Sequence, residues 1–343
     1  MSSTGNQTVI EANDNRPQRR QANAAANPDK DAFMFRTSAI KPWALLALVL
    51  AWLPGAAQAQ SVLAAPLRIA HRGGTGDAPE NTVTAIRAAL ANGADAVWVT
   101  VQLSRDGVPV LYRPATLDVL TNASGPVSAQ TAAQLAQLDA GWKTGNSAGN
   151  SAGAAATPWR GRGIGIPTLE EVLRDFPETV FFIDIKSPDA PPNKMAQARA
   201  GVLQATASLT RTRVYSTDER YLGALPAQIA RFESRDLTRS VLAQSAMAHR
   251  CELPPANDVD RERWFGLEMK RNVDVVEKYT LGEARSRAQL VWDQEAIDCF
   301  RGQGRARIVL FDINSEADYR QAKALGADAV MINSPAQFTT IAR

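Results

Sequence analysis

The chain has 343 residues, 45% of them hydrophobic, which suits one large α/β domain or two smaller ones. Its formal charge of +3 nearly vanishes when residues 1–59 are set aside, because the remaining 32 Lys or Arg face 31 Asp or Glu. This balance gives no reason to expect a nucleic-acid partner. Cys251 and Cys299 are too few for a disulfide framework. We expect them as free buried thiols, with a single bridge as the alternative in an exported protein.

Residues 34–59 have the pattern of an export signal. Lys41 precedes an apolar run over residues 43–57, and small residues then predict cleavage before Gln60. The run is shorter than the roughly 20 residues of a membrane-spanning helix, which makes a membrane anchor the weaker alternative. We therefore expect an exported protein, periplasmic in a bacterium or secreted, without a stable membrane span after leader removal. It would be membrane-anchored only if the leader is not cleaved.

The polar stretch of residues 1–33 is too long for the charged start of a signal peptide. A chain that begins at Met34 has a leader of ordinary proportions, so residues 1–33 are expected to be untranslated or disordered. Residues 60–343 then form the mature domain.

Short β-branched runs alternate with Ala-rich amphipathic stretches through this domain, the pattern of repeated βα units. The predicted strands are 67–73, 96–103, 108–113, 180–186, 213–216, 264–270, 288–293, 306–314 and 329–335. Predicted helices lie between them, one of which stops at Gly93 and another at Gly326. Roughly eight such units predict a closed (β/α)₈ barrel, with a doubly wound open sheet as the alternative. The Gly-, Ser- and Ala-rich stretch 143–159 predicts a flexible rim loop.

The C-terminal ends of the strands carry the active site in such barrels. The first predicted strand ends in His71 and Arg72, and residues 79–82 (PENT) begin the next helix. A strand-to-helix turn with a capped helix explains the glycines, the Pro and the Thr. It does not explain why a His, an Arg and Glu80 gather around one turn, so these three predict a functional site.

Several motifs, in this order and spacing, resemble the glycerophosphodiester phosphodiesterase family. They are HRGGTGDAPENT (71–82), RDGVPVL (105–111), IPTLEEVL (166–173), FIDIK (182–186) and ALGADAVMINSP (324–335). The resemblance covers most of the mature domain. It implies a (β/α)₈ barrel that cleaves glycerophosphodiesters to glycerol 3-phosphate and an alcohol, with Ca²⁺ or Mg²⁺ and two catalytic histidines.

The resemblance also assigns roles to individual residues. His71 matches the first family histidine, Arg72 the phosphate-binding arginine and Lys186 the phosphate-binding lysine. Glu80 matches the Glu of the PENT motif, and Asp184 matches the third metal-binding carboxylate.

The sequence departs from the family at the other catalytic positions. Trp98 and Thr100 stand where the family has two metal-binding carboxylates, and Arg113 stands where it has a second histidine. Positions 98 and 100 share one face of their strand, and positions 97, 99, 101 and 103 form an apolar row on the other. A hard divalent cation takes six or more oxygens, and Asp184 is the only retained ligand position. We therefore expect no metal cofactor.

Three interpretations remain open. One is a non-catalytic secreted protein whose Arg72, Arg113 and Lys186 bind a small phosphodiester or phosphorylated polyol. Another is a metal-independent phosphodiesterase that uses His71 and Arg113 in catalysis, similar to bacterial phosphatidylinositol-specific phospholipases C. Such an enzyme needs a second acid, for which Asp184 and Glu268 are the candidates. Phosphoric diester hydrolysis is the nominal function.

The third interpretation is a relocated carboxylate. Glu268 and Lys270 repeat the spacing of the acid and the lysine in FIDIK, although a surface ion pair explains them more simply. His249 is expected to be structural. The aromatic and acidic residues near predicted strand ends, for which substrate contact and core packing are both open, are Tyr112, Trp142, Trp292 and Asp312.

Overall fold

The computed structural model describes residues 8–9, 64–143, 158–256, 261–279 and 282–341. The predicted leader, all of the predicted extension except Thr8 and Val9, and most of the predicted rim loop lie outside these ranges. Within the described ranges, no helix is both long enough and apolar enough to cross a bilayer.

Eleven strands and eight α-helices are described. The strands are β1 (Thr8–Val9), β2 (Leu67–His71), β3 (Ala96–Leu103), β4 (Pro109–Leu111), β5 (Val180–Ile185), β6 (Thr212–Ser216), β7 (Arg263–Glu268), β8 (Lys270–Tyr279), β9 (Gly282–Val291), β10 (Ala306–Phe311) and β11 (Ala329–Ile332). The helices are α1 (Val83–Ala91), α2 (Ala132–Ala136), α3 (Leu169–Asp175), α4 (Pro192–Ala205), α5 (Glu219–Gly223), α6 (Arg235–Ala248), α7 (Gln294–Arg301) and α8 (Glu316–Ala324).

Seven parallel strands form the barrel wall in the order β6-β5-β3-β2-β11-β10-β7. The short segment 230–233 closes the ring between β6 and β7. In it, Phe232 N–H donates to the carbonyl of Val214, and Glu233 N–H donates to the carbonyl of Trp264, each at 2.8 Å. The predicted (β/α)₈ barrel is confirmed, and the open-sheet alternative is wrong.

The predicted strand 288–293 is not part of the barrel wall. Its residues fall largely in β9, which pairs antiparallel with β8 in a hairpin that follows β7. Trp292 N–H donates to the carbonyl of Met269 at 3.1 Å, so the two ends of the hairpin lie side by side where they join the barrel. The two-residue strand β1 pairs in parallel with β8 at Val275 and Val276.

Aromatic side chains fill the barrel interior. The ring of Trp98 lies 5.1 to 6.1 Å from four other rings, those of Phe182, Tyr215, Phe232 and Phe311. Gly266 faces this cluster, and a Cβ there would lie 2.5 Å from Phe311 Cζ, so any larger residue would force the Phe311 ring to move. The predicted apolar row of positions 97, 99, 101 and 103 packs in a separate core cluster with helix residues, as the alternation requires.

Cys251 and Cys299 form a disulfide that joins the chain just after α6 to α7. The expectation of free thiols is therefore wrong. The two cysteines are 48 residues apart in sequence, and their Cα atoms come within 5.4 Å because the two helices pack together. The spacing of the two cysteines in the sequence does not predict that their Cα atoms lie close together in the fold.

Candidate functional site

A cavity of about 330 Å³ lies at the C-terminal ends of the barrel strands. Each of the seven wall strands contributes one lining residue, and the loops that follow contribute the rest. The strand residues are His71, Trp98, Asp184, Tyr215, Glu268, Phe311 and Met331. The cavity therefore occupies the position where barrels of this class carry their chemistry.

His71 is the imidazole of the cavity. Its Nδ1 lies 2.7 Å from Oδ1 of Asn333. A carbonyl oxygen only accepts hydrogen bonds, so Nδ1 carries the hydrogen and Nε2 is the nitrogen that can accept a proton. Burial, together with the positive charges of Arg72 and Arg113, lowers the pKa of His71 to about 4 against a smaller opposing effect of Asn333. His71 is therefore a neutral base of fixed tautomer at neutral pH.

Arg72 follows His71 with a left-handed backbone, φ 52°. Its Nη1 donates to Oε2 of Glu80 at 2.5 Å, and the hydroxyl of Thr75 donates to the same oxygen at 3.1 Å. Glu80 thus holds the arginine in place from behind the cavity and does not line it.

Asp184 and Lys186 lie at the end of β5. Lys186 Nζ is 3.6 Å from Oδ1 of Asp184 and donates to the hydroxyl of Thr217 at 2.6 Å. Burial raises the pKa of Asp184 and lowers that of Lys186, and each residue partly offsets the shift of the other. The pair supplies a cation and its counter-charge on one wall.

Arg113 follows β4 and is exposed at the mouth of the cavity. Within the part of the chain that the structure describes, its side chain has no hydrogen bond or ion pair. Its guanidinium is available to an anionic ligand.

Glu268 ends β7 and also lines the cavity. Arg235 donates to both of its carboxylate oxygens at 2.7 and 2.9 Å, and Arg271 donates at 2.9 Å. Burial opposes ionisation of Glu268, but the two arginines outweigh burial and leave its pKa below the usual value. Lys270 instead pairs with Asp318 at 3.4 Å. The predicted repeat of the acid-and-lysine pair is therefore wrong.

The side chains around the cavity do not fit a divalent cation. In register across β3, β5 and β6, Thr100 stands beside Asp184, and Asp184 stands beside Tyr215. The carboxylates of Glu80 and Glu268 are engaged by arginines. Among the residues that the structure describes, no three His, Cys, Asp or Glu side chains are grouped as a metal site. Asp184, which pairs with Lys186, and Asp312, which accepts from Asn314, do not supply the six or more oxygens that Ca²⁺ or Mg²⁺ takes.

Of the remaining candidates, only Asp312 lines the cavity. The hydroxyl of Tyr112 donates to two backbone carbonyls, Trp292 is fully buried in the core, and Trp142 stacks under the guanidinium of Arg160. His249 lies at the C-terminus of α6, where it pairs with Glu295.

Sequence reasoning missed Tyr215, Thr217, Arg235 and Asn333. Asn333 comes directly after β11, as His71 ends β2, so inspection of every strand end for polar residues would have found it. Tyr215 is on the inward face of β6, but β6 was too short for its faces to be assigned from sequence.

Comparison with known proteins identifies the family. The model of the "Glycerophosphoryl diester phosphodiesterase family" matches residues 71–337. An uncharacterized protein of Mycobacterium tuberculosis is 42% identical over 274 residues, 79% of this chain and 87% of the relative. A glycerophosphodiester phosphodiesterase of Bacillus subtilis is 34% identical over 132 residues, 37% of this chain and 42% of the relative.

Solved structures that resemble this chain indicate the same family. The crystal structure of the glycerophosphoryl diester phosphodiesterase domain of the Mycobacterium tuberculosis protein has a TM-score of 0.72 and 39% identity, and the match covers 80% of this chain and 98% of that one. The structure of an Oleispira antarctica phosphodiesterase in complex with the product sn-glycerol-3-phosphate shares the fold, with a TM-score of 0.52, 19% identity and coverage of 81% and 98%. The chain therefore belongs to the glycerophosphoryl diester phosphodiesterase family, as its motifs predicted.

Proposed function

We propose that the mature domain is a metal-independent phosphodiesterase that acts on glycerophosphodiesters or related esters of phosphorylated polyols. The observation that carries the proposal is that a neutral, oriented His71 shares one cavity with the cations of Arg72, Arg113 and Lys186. Family membership supports the class of substrate, and the Oleispira relative in complex with sn-glycerol-3-phosphate supports the glycerol phosphate half.

The three cations bind the phosphate and stabilise the negative charge that develops on it in the transition state. Arg72 is held by Glu80, and Lys186 by Asp184 and Thr217, so both are oriented before the ligand arrives. Arg113 has no competing partner among the described residues, and a guanidinium can donate two parallel hydrogen bonds to phosphate oxygens. Arg113 then supplies charge that a metal ion provides elsewhere in the family.

His71 acts as the general base. Its Nε2 takes the proton of the attacking hydroxyl, from water or from a neighbouring hydroxyl of the polyol, while Asn333 holds the ring through Nδ1. A new P–O bond forms, the P–O bond to the alcohol breaks, and the alcohol leaves with a proton. Glu268 is held ionised by two arginines and does not donate that proton.

Binding without turnover is the second candidate function. The observation that favours it is the aromatic packing of Trp98 on β3, in place of a family carboxylate. A receptor of this kind keeps the cationic cavity and needs no base.

The test is hydrolysis of glycerophosphocholine by residues 60–343 with Ca²⁺, with Mg²⁺ and with EDTA. The wild type is compared with His71→Ala and with His249→Ala, a matched control because His249 is exposed and outside the cavity. We expect activity that persists in EDTA, is unchanged in His249→Ala and falls about 10²- to 10⁴-fold in His71→Ala. Activity that requires the metal ion would contradict the proposal. Binding of glycerol 3-phosphate without turnover would support the receptor.

We also propose that the domain is exported. A disulfide between Cys251 and Cys299 is the kind of bond that persists in oxidising compartments, and the predicted leader precedes the domain. N-terminal sequencing of the protein from a periplasmic or culture fraction should begin at Gln60. Recovery of the intact chain from the cytoplasm alone, with reduced thiols, would contradict export.

A further inference from the structure

The hydroxyl of Tyr215 is a buried polar group that the mechanism above does not use. Tyr215 lies on β6 beside Asp184 and is only 3% exposed, yet it lines the cavity. Its ring lies 5.1 Å from that of Trp98 and 5.7 Å from that of Phe311. Within the described chain, its Oη has no hydrogen-bond partner.

A buried hydroxyl without a partner costs roughly 1–3 kcal/mol, and phenylalanine would fill the same space without that cost. Two other buried tyrosines satisfy the hydroxyl: Tyr221 donates to the carbonyl of Ala190 at 2.7 Å, and Tyr112 donates to two carbonyls at 3.1 Å. Tyr319 has no such partner among the described residues, but it does not line the cavity. Because Tyr215 lines a cavity that suits a phosphodiester, an oxygen of the ligand is the partner that this hydroxyl lacks.

Resting on the proposed function, we infer that Tyr215 is the general acid that protonates the leaving alcohol oxygen. The family position for a second histidine holds Arg113, which has no proton to give at neutral pH. Glu268 is held ionised, and Asp184 serves as the counter-charge of Lys186. Among the described residues that line the cavity, Tyr215 carries a neutral, protonated hydroxyl that is not already committed to another group.

The surroundings of Tyr215 keep the phenol protonated before the reaction and stabilise the phenolate after the proton has left. Burial raises the pKa of the phenol, against an opposing effect of Arg235, so Tyr215 is protonated at neutral pH. Asp184 and Glu268 also disfavour the phenolate, whereas Arg235 and Arg271 stabilise it once the proton has gone, and Lys186 Nζ lies 6.0 Å from the ring centre. His71 gains one proton from the attacking hydroxyl and Tyr215 loses one to the alkoxide. Exchange with water restores both residues.

The experiment compares two substrates that differ only in the leaving group. Glycerophosphocholine releases an alkoxide that needs a proton, and the 4-nitrophenyl ester of glycerol 3-phosphate releases a phenolate that does not. We expect Tyr215→Phe to lower kcat about 10²- to 10³-fold on the first substrate and less than about threefold on the second. The thermal midpoint of the variant should be unchanged or higher, because an unpaired hydroxyl has been removed.

Tyr319→Phe is the matched control. Tyr319 is also buried with an unpartnered hydroxyl among the described residues, but it packs against Phe338 and does not line the cavity. This variant should leave both substrates unaffected.

Equal losses of kcat on the two substrates, or no loss on either, would overturn the role of Tyr215 and leave the proposed function standing. A selective loss in Asp184→Asn with full activity in Tyr215→Phe would also overturn it, since the proton would then come from the carboxyl. If the wild type hydrolyses neither substrate, both proposals fail together, and this result is distinct from the other outcomes.

Discussion

The barrel has a cavity at each end, about 330 Å³ at the C-terminal ends of the strands and about 560 Å³ at the N-terminal ends. Both contain arginines and carboxylates. At the N-terminal end, Arg307 donates to Glu262 at 2.8 Å and to Asp328 at 3.0 Å, and Arg301 also donates to Asp328. Arg213, whose Nε has no partner among the described residues, donates to two backbone carbonyls and stacks on a tryptophan ring.

The C-terminal cavity is smaller but leaves its polar groups open. Within the described ranges, Arg113 has no ion pair and Tyr215 Oη has no hydrogen-bond partner, while Asp184 Oδ1 has only its 3.6 Å ion pair with Lys186. An open charge or donor in a buried site is costly unless a ligand satisfies it. The arginines of the larger N-terminal cavity are paired with carboxylates or carbonyls, whereas Arg113 of the smaller cavity has no partner among the described residues, so an unpaired cation distinguishes the candidate site better than cavity volume does. The aromatic cluster around Trp98 fills the barrel between the two ends.

Acid should weaken the two ends in different pH windows. The pKa of His71 is lowered to about 4, so the unfolded chain binds more protons below its ordinary value of 6.5. Stability is therefore lost as pH falls from 6.5 toward 4, by at most about 3 kcal/mol. Glu262 has a pKa held below 4.5, chiefly by its hydrogen bond with Arg307, so the N-terminal end loses stability only at lower pH.

Urea unfolding at intervals between pH 7 and pH 4 measures the first window. The His71→Asn variant should not lose stability through this window as the wild type does. His249 is present in both proteins, so its titration cancels when the free energy of unfolding of one protein is subtracted from that of the other. A wild-type curve that is flat over this window would show that His71 titrates normally.

Asn333→Ala should lower kcat by about 10- to 100-fold while KM changes little, because the role of the amide is to position the ring of His71. The acid limb of the kcat/KM profile should also move to lower pH, since the bond to Asn333 raises the pKa of His71. Steady-state kinetics from pH 8 to below pH 4 test this. A change in KM alone would assign Asn333 to substrate binding.

Gly266→Ala should destabilise the fold by roughly 1–3 kcal/mol, because the new methyl group meets the rings of Phe311 and Phe232. The aromatic cluster that separates the two cavities would have to shift. The matched control is Gly201→Ala, at an open position on α4. Thermal unfolding of both variants gives the difference, and equal midpoints would contradict the packing.

Two arginine variants should each change one quantity by about 1 kcal/mol: one should weaken ligand binding only, and the other should lower the stability of the fold only. Arg113→Gln should weaken glycerol 3-phosphate binding about tenfold without changing stability. Arg307→Gln should lower stability by about 1 kcal/mol without changing binding. Calorimetric titration and urea unfolding measure the two quantities. Loss of binding in Arg307→Gln would remove the distinction between the ends.

Sequence reasoning located most of the barrel because its signals are local. The alternation of positions 98 and 100 with positions 97, 99 and 101 predicts that Trp98 points into the barrel. The four-residue closing segment 230–233 is too short to show a period, and the hairpin strand β9 was assigned to the wall in its place.

The site was predicted in part for the same reason. His71, Arg72 and Lys186 belong to motifs that stand next to strand ends, so their meeting at the cavity could be expected. Arg235 is at the start of a helix, and its contact with Glu268 joins residues 33 apart in sequence. The pairing of Cys251 with Cys299 likewise depends on tertiary packing, which no local pattern encodes.

The junction of the β8–β9 hairpin has a consequence for how this chain can vary. Met269 and Trp292 are hydrogen-bonded neighbours, and Val273 and Leu290 are buried in the same core cluster, so the base of the hairpin is fixed to the barrel. The residues between Val273 and Leu290 can be exchanged without moving a wall strand. The hairpin rises directly after Glu268, beside the cavity. A graft confined to this outer part would change which alcohols enter and would leave Arg271, which pairs with Glu268 at the base of the hairpin, in place.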